Sequence, residues 1–116
     1  MKGLWVSCGL ALAYGMFHMP ELSVAETQII EITAQRFHYQ PQQVRLPAGQ
    51  AAQLQIRSKD VLHGFFIPKL NIRADLEPGK TVTVDLPPLS KGVYPFACDI
   101  FCGTEHSHMH GSLLVE

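Results

Sequence analysis

From Ile30 onward, apolar and polar side chains alternate in short stretches separated by turn-forming residues. Ile30, Ile32 and Ala34 are spaced by Glu31 and Thr33, the period of two that puts every second side chain on one face of a strand. The aromatic run Phe37-His38-Tyr39 follows and bends at Pro41. Val44 and Leu46 lead into the turn Pro47-Ala48-Gly49-Gln50, after which Leu54 and Ile56 alternate with Gln53, Gln55 and Arg57. Residues 60–70 gather Val61, Leu62, Phe65, Phe66 and Ile67 around His63 and Gly64 until Pro68 interrupts. Glu77-Pro78-Gly79-Lys80 turns the chain again; Val82, Val84 and Leu86 then share one face of a strand over 81–86 that Pro87-Pro88 ends. Lys91-Gly92 precedes a short apolar strand from Val93 to Ala97, and the last strand runs from Ser112 to Val115. About seven short strands with turn signals between them predict an all-β chain, a small sandwich or barrel. No repeat, low-complexity tract or convincing amphipathic helix interrupts the pattern.

The N-terminus follows a different pattern. Lys2 is followed by an uncharged, mostly apolar run from Gly3 to Phe17, broken by His18 and Pro20, and then by the small residues of Ser23-Val24-Ala25. This reads as a secretory signal peptide cleaved after Ala25, with a single uncleaved N-terminal anchor as the alternative. Lipidation at Cys8 is disfavoured because Trp5 stands where a leucine is usual. The chain of 116 residues has room for one domain, here residues 26–116. That part carries eight Lys or Arg against nine Asp or Glu, a balance that predicts neither polyanion binding nor strong membrane attraction.

Setting residues 1–25 aside also sharpens the chemistry. Met109 becomes the sole methionine, and Cys98 and Cys102 the sole cysteines. In an exported, periplasmic protein two thiols are expected to be joined in a disulfide or held by metal. The stretch Cys98-Asp-Ile-Phe-Cys-Gly-Thr-Glu-His-Ser-His-Met109 packs two thiols, imidazoles and a thioether into twelve residues. Soft sulfur with imidazole selects copper, with zinc behind it, whereas calcium or magnesium would need oxygen donors that only Asp99 and Glu105 could offer. Cys98, Cys102, His106 and Met109 are spaced so that a helix would line them on one face. Gly103, Gly111 and the flanking strands point instead to a loop with one helical turn at most.

Residues 60–116 resemble the CuA domain of cytochrome c oxidase subunit II, and also that of nitrous oxide reductase. The pattern is His63 in Val-Leu-His-Gly-Phe, then Cys98-x3-Cys102-Gly-x2-His106-x2-Met109 and a final strand, with Asn71-Ile72 and the Glu77-Pro78-Gly79 turn between. The N-terminal half shares only the general cupredoxin pattern. The resemblance implies a cupredoxin-like Greek-key fold and a binuclear centre of two copper ions bridged by the Cys98 and Cys102 thiolates. It further implies His63 and His106 as imidazole ligands, Met109 as a weak ligand, and the backbone carbonyl of Ile100 as its counterpart. Subunit II usually has glutamate at the position of Ile100; a carbonyl ligand tolerates the change, while any contact that glutamate makes outside the copper shell is lost.

Two bridging sulfurs spread one electron over two metals, so a rigid β framework around them keeps reorganisation small, and Phe65, Phe66, Phe96 and Phe101 are expected to exclude water. Three functions fit: an electron-transfer domain, as a periplasmic carrier or as the electron-input domain of an oxidase; a mononuclear blue-copper protein, which would have no use for Cys98; and a copper chaperone or assembly factor. The expected partner is an electron donor or acceptor protein such as a cytochrome c or a terminal oxidase. No nucleophile–base pair, open histidine cluster or nucleotide loop predicts catalysis by this chain alone. His108 and His110 match no ligand position and read as exposed loop residues, with transient copper capture or partner contact as the alternative; His38 reads as a strand or surface histidine, and Asp99 and Glu105 are expected to be solvated or bonded to the loop backbone.

Overall fold

The computed structural model describes residues 27–104 and 108–116. Nine strands form two sheets: β1 (Gln28–Gln35), β2 (His38–Gln40), β3 (Gln43–Leu46), β4 (Ala52–Ser58), β5 (His63–Ile67), β6 (Ile72–Leu76), β7 (Thr81–Leu86), β8 (Gly92–Ala97) and β9 (His110–Val115). One sheet has the order β2-β1-β4-β7 and the other β3-β9-β8-β5-β6. The chain changes sheet five times, and β1 with β4 and β3 with β9 lie parallel while the remaining neighbours are antiparallel. The expected β-sandwich is therefore the architecture observed.

The alternation read from the sequence is what closes the two layers. Ile32, Ala34, Leu54, Ile56, Val84 and Leu86 face inward from one sheet; Val44, Leu46, Phe65, Ile67, Leu76, Phe96, Leu113 and Val115 face them from the other, in one buried core. Tyr39 of β2 is buried at its centre and packs edge-on against Phe65 and Phe96, with ring centroids 6.0 and 5.1 Å away.

Two short strands add to the expected set. Residues 38–40, part of the aromatic run that leads to Pro41, pair back on β1, with His38 on a strand as one reading had it. The alternation did not mark β6, whose Ile72 and Ala74 are only half-buried at the sheet edge. A single 3-10 turn (Pro68–Leu70) leads into β6, and Asn71 takes the left-handed conformation (φ 52°) that reverses the chain there.

Topology decides where the chemistry sits. Because β5 and β9 both run antiparallel to β8, the start of β5, the end of β8 and the start of β9 meet at one pole of the sandwich. The turns after β1 and β4 reach the same pole, where Lys59 N–H donates to the Ala34 carbonyl (2.9 Å). Register at this pole is fixed by close packing. A Cβ on Gly111 would lie 2.5 Å from Phe96 Cζ and overlap the Gln42 carbonyl, so only glycine fits opposite Phe96 in the β8–β9 ladder.

Candidate metal centre

His63 opens β5, pointing inward and fully buried. Its Nε2 lies 2.7 Å from Asp60 Oδ1, and since a carboxylate only accepts, this is Nε2–H donating. Asp60 Oδ1 also accepts from the Val61 N–H (2.7 Å) and Oδ2 from the Arg36 N–H (2.8 Å). Partial burial works to raise the Asp60 pKa, but these hydrogen bonds outweigh it and bring the group down to about 2. The carboxylate thus fixes the histidine tautomer, leaving Nδ1 unprotonated. That Nδ1 is buried and has no hydrogen-bond partner among the described residues, a costly state for a polar atom unless a cation completes it.

Cys98 follows β8 directly and Met109 directly precedes β9, and their backbones are joined by a hydrogen bond from Cys98 N to the Met109 carbonyl (3.1 Å). Both residues and Cys102 are buried. The two Sγ atoms are 3.7 Å apart, well beyond the ~2.05 Å of a disulfide, so both are thiols. Cys102 Sγ lies 3.8 Å from Met109 Sδ, and the Ile100 carbonyl is 3.1 Å from Cys98 Sγ. The ligand atoms of His63, Cys98 and Cys102 all lie within 4.8 Å of one another. The structure therefore brings His63, Cys98, Cys102, Met109 and the Ile100 carbonyl together; His106, with Glu105, lies outside the described residues.

Neighbours that are not ligands hold this cradle. Gly64 N–H donates to Cys98 Sγ (3.3 Å), and the Tyr39 hydroxyl donates to the Gly64 carbonyl (2.6 Å). Burial, reinforced by the nearby cysteines, pushes the Tyr39 pKa up, so the phenol stays a donor. Arg36 Nε donates to the Cys102 carbonyl (3.1 Å). On the loop's other side Arg73 grips Asp99 with two hydrogen bonds (2.8 and 3.1 Å), and Gly64 is packed so closely beneath that a Cβ there would overlap Asp99 Oδ1. Burial and the adjacent Cys98 push the Cys102 thiol up to about 11, with Arg36 pulling the other way. Near neutral pH the Cys102 sulfur keeps its proton until a metal displaces it.

Asp99 is exposed, as expected, and its carboxylate also pairs with Arg73. One reading of a neighbouring residue needs correction. Phe101 does not shield the site: it is 78% exposed, next to the inward-facing Cys102. Phe65 and Phe96 are buried and Phe66 is half-buried, as expected. Asp60, Tyr39 and Arg36 were not singled out. The Asp-x-x-His spacing of Asp60 and His63 was the one available signal, as carboxylates commonly orient metal-binding histidines.

As a donor set, two buried thiols, a buried thioether and an imidazole nitrogen held unprotonated suit copper. Sequence and structure comparisons agree with this chemistry. A family profile described as a cupredoxin-like domain matches residues 8–115. Cytochrome c oxidase subunit 2 of Thermus thermophilus is 33% identical over 87 residues, 75% of this chain and 64% of that protein, so the chain spans less than two thirds of that relative's length. A heme-copper terminal oxidase dimer seen by cryo-electron microscopy superposes with a TM-score of 0.70 at 27% identity, over 78% of this chain and 66% of the other. The periplasmic domain of subunit II of cytochrome oxidase from Bradyrhizobium japonicum gives a TM-score of 0.70 at 18% identity, over 77% and 83% of the two chains, a likeness of fold.

Proposed function

Given that the chain belongs to the cupredoxin-like domain family, we propose that it is an electron-transfer domain with a binuclear CuA centre held by His63, Cys98, Cys102, His106, Met109 and the Ile100 carbonyl. The observation that carries this reading is the second thiol. Cys98 and Cys102 are buried 3.7 Å apart on the same cradle, and a mononuclear blue-copper site would leave one of them idle.

Copper would supply a one-electron carrier; everything else is the work of the chain. The Cys98 and Cys102 thiols and the His63 nitrogen would hold the copper, with Met109 and the Ile100 carbonyl as weaker donors. Hydrogen bonds to Cys98 Sγ and to the Gly64 and Cys102 carbonyls tie the cradle to both sheets, so little has to move when the charge changes. Phe65 and Phe96 exclude water from below.

The partner is proposed to be an electron donor or acceptor protein, such as a cytochrome c or a terminal oxidase, approaching the pole where Leu62 and Phe101 are exposed. A periplasmic setting is proposed from the likeness to a periplasmic subunit II domain, with residues 1–25 as an export signal or single anchor and residues 26–116 as the working domain. Residues 1–25 lie outside the described part, and no helix among the described residues is long and apolar enough to cross a membrane.

Copper stoichiometry with electron paramagnetic resonance tests the proposal. Two coppers per chain sharing one unpaired electron are expected. One copper with a mononuclear signal, or a Cys98–Cys102 disulfide with no copper bound, would overturn it.

A further inference from the structure

Arg36, in the turn between β1 and β2, donates from Nε to the Cys102 carbonyl (3.1 Å), while its own backbone N–H donates to Asp60 Oδ2 (2.8 Å). A neutral side chain could supply the bond to that carbonyl; arginine adds a permanent positive charge. Among the described residues its guanidinium meets no carboxylate at ion-pair distance. Arg73, on the other side of the loop, differs in this, since Asp75 and Asp99 both pair with it. We propose that Arg36 is a positioning residue that raises the reduction potential of the centre by holding a fixed positive charge beside the Cys102 sulfur, an inference that rests on the copper reading above.

The hydrogen bond ends on the carbonyl of the same residue whose Sγ is a proposed ligand. The charge therefore stands within about 8 Å of that sulfur, inside the ~10 Å screening length at 0.1 M salt. Arg36 borders an open cavity of about 270 Å³ with Val61, Leu62, Phe101, Cys102 and Gly103, and no carboxylate in that lining offsets its charge. The opposing charge at this pole is Asp60, whose carboxylate is directed at His63 Nε2–H (2.7 Å). The two charges are thus divided, arginine at the sulfur and aspartate at the imidazole. Burial pushes the Cys102 thiol up and Arg36 pulls it the other way, in keeping with a guanidinium whose field reaches this sulfur. Reduction adds one electron from the donor protein, with no bond made or broken. A nearby cation favours the form carrying that electron, so the sign of the effect is a higher potential.

Voltammetry of the copper-loaded full chain tests this with two variants: Arg36→Gln, which removes the charge and keeps an amide donor, and Arg36→Lys, which keeps the charge. Arg36→Gln should shift the one-electron equilibrium towards the oxidised form by about threefold to tenfold, a fall of about 30–60 mV at 59 mV per tenfold. Arg36→Lys should recover more than half of that fall. Because Arg36 is exposed, the difference between wild type and Arg36→Gln should shrink by at least half on going from about 0.05 M to about 1 M salt, which a purely structural role would not produce. An unchanged or raised potential in Arg36→Gln, recovery of less than half in Arg36→Lys, or a difference that salt leaves intact would overturn the proposal. Loss of copper from Arg36→Gln would overturn it as well, by making the residue a brace for the loop. Two coppers with an unchanged potential would refute the role of Arg36 and leave the centre standing. One copper in wild type would refute the binuclear reading while the shift is still read at Cys102, and no copper in wild type would overturn both.

Discussion

Replacing Asp60 by alanine isolates the contribution of the residue that presets His63. The change removes the acceptor for His63 Nε2–H and for the backbone N–H groups of Arg36 and Val61. Arg36 is exposed and Val61 half-buried, and both hydrogen bonds lie at the surface, so their donors recover water and contribute little. His63 is fully buried and cannot; a buried donor left unpaired costs about 1–3 kcal/mol. The depressed Asp60 pKa represents a further stabilisation of about 1–2 kcal/mol once solvent screening of this partly exposed carboxylate is allowed for, and it overlaps with the same hydrogen bond. A total loss of about 2–3 kcal/mol is therefore expected, seen as a fall of about 2 M in the urea midpoint for a slope near 1 kcal/mol/M. The sign of the pH dependence provides a second check on metal-free protein. A carboxyl held at about 2, against an ordinary value near 4, contributes stability that is complete above pH ~4 and lost as pH falls towards 2. Wild type and Asp60→Ala should differ at neutral pH and converge at about pH 2. With Nε2 released, the ring is free to place its proton on Nδ1, and copper affinity should fall about 10–100-fold. An unchanged urea midpoint together with unchanged copper affinity would refute the reasoning, as would stability curves that stay parallel down to pH 2.

Three further outcomes follow from the same contacts. Tyr39→Phe removes the hydrogen bond to the buried Gly64 carbonyl and should cost about 1–2 kcal/mol in denaturant unfolding while copper stoichiometry is retained. Gly64→Ala drives a Cβ into the Asp99 carboxylate; a loss of about 1–3 kcal/mol is expected, with a matching loss of copper uptake by the displaced loop. Met109→Leu, close in volume, should keep the metal content and shift the reduction potential in voltammetry, since a weak thioether ligand tunes more than it holds; loss of all metal would show that the thioether is a principal ligand.

Strands β1, β3, β4, β7, β8 and β9 were legible because each has one face in the core and one in water, so the burial pattern is written into the sequence as alternation. Strand β6 has the same alternation in Ile72, Ala74 and Leu76, but its weak apolar members lie at a sheet edge and do little to mark it. Cys98, Cys102 and Met109 were legible from their spacing in one loop, and the structure brings them beside His63 of β5. Their supports were not. Tyr39 and Gly64 are 25 residues apart, Arg73 and Asp99 26, and Arg36 and Cys102 66, and only the sheet topology brings each pair together. The Arg73–Asp99 pair was not legible for this reason: Arg73 stands on β6, which the alternation did not mark. Phe101 was misread because aromatic character suggested burial, whereas its place next to the inward-facing Cys102 leaves it outside.

The tight fit of Gly111 beneath Phe96 has a consequence for which atom the centre receives. Side-chain direction in a strand has a period of two, so a slip of β9 by one residue along β8 would turn Met109 outward and bring a histidine inward. The loop would then present imidazole in place of thioether, a harder donor favouring the oxidised metal. Such a slip must also place a side chain bearing a Cβ where only glycine fits. The smallest residue of the strand thus works as an index mark: it lets steric exclusion select sulfur over nitrogen in a segment where three consecutive side chains, His108, Met109 and His110, could all bind copper.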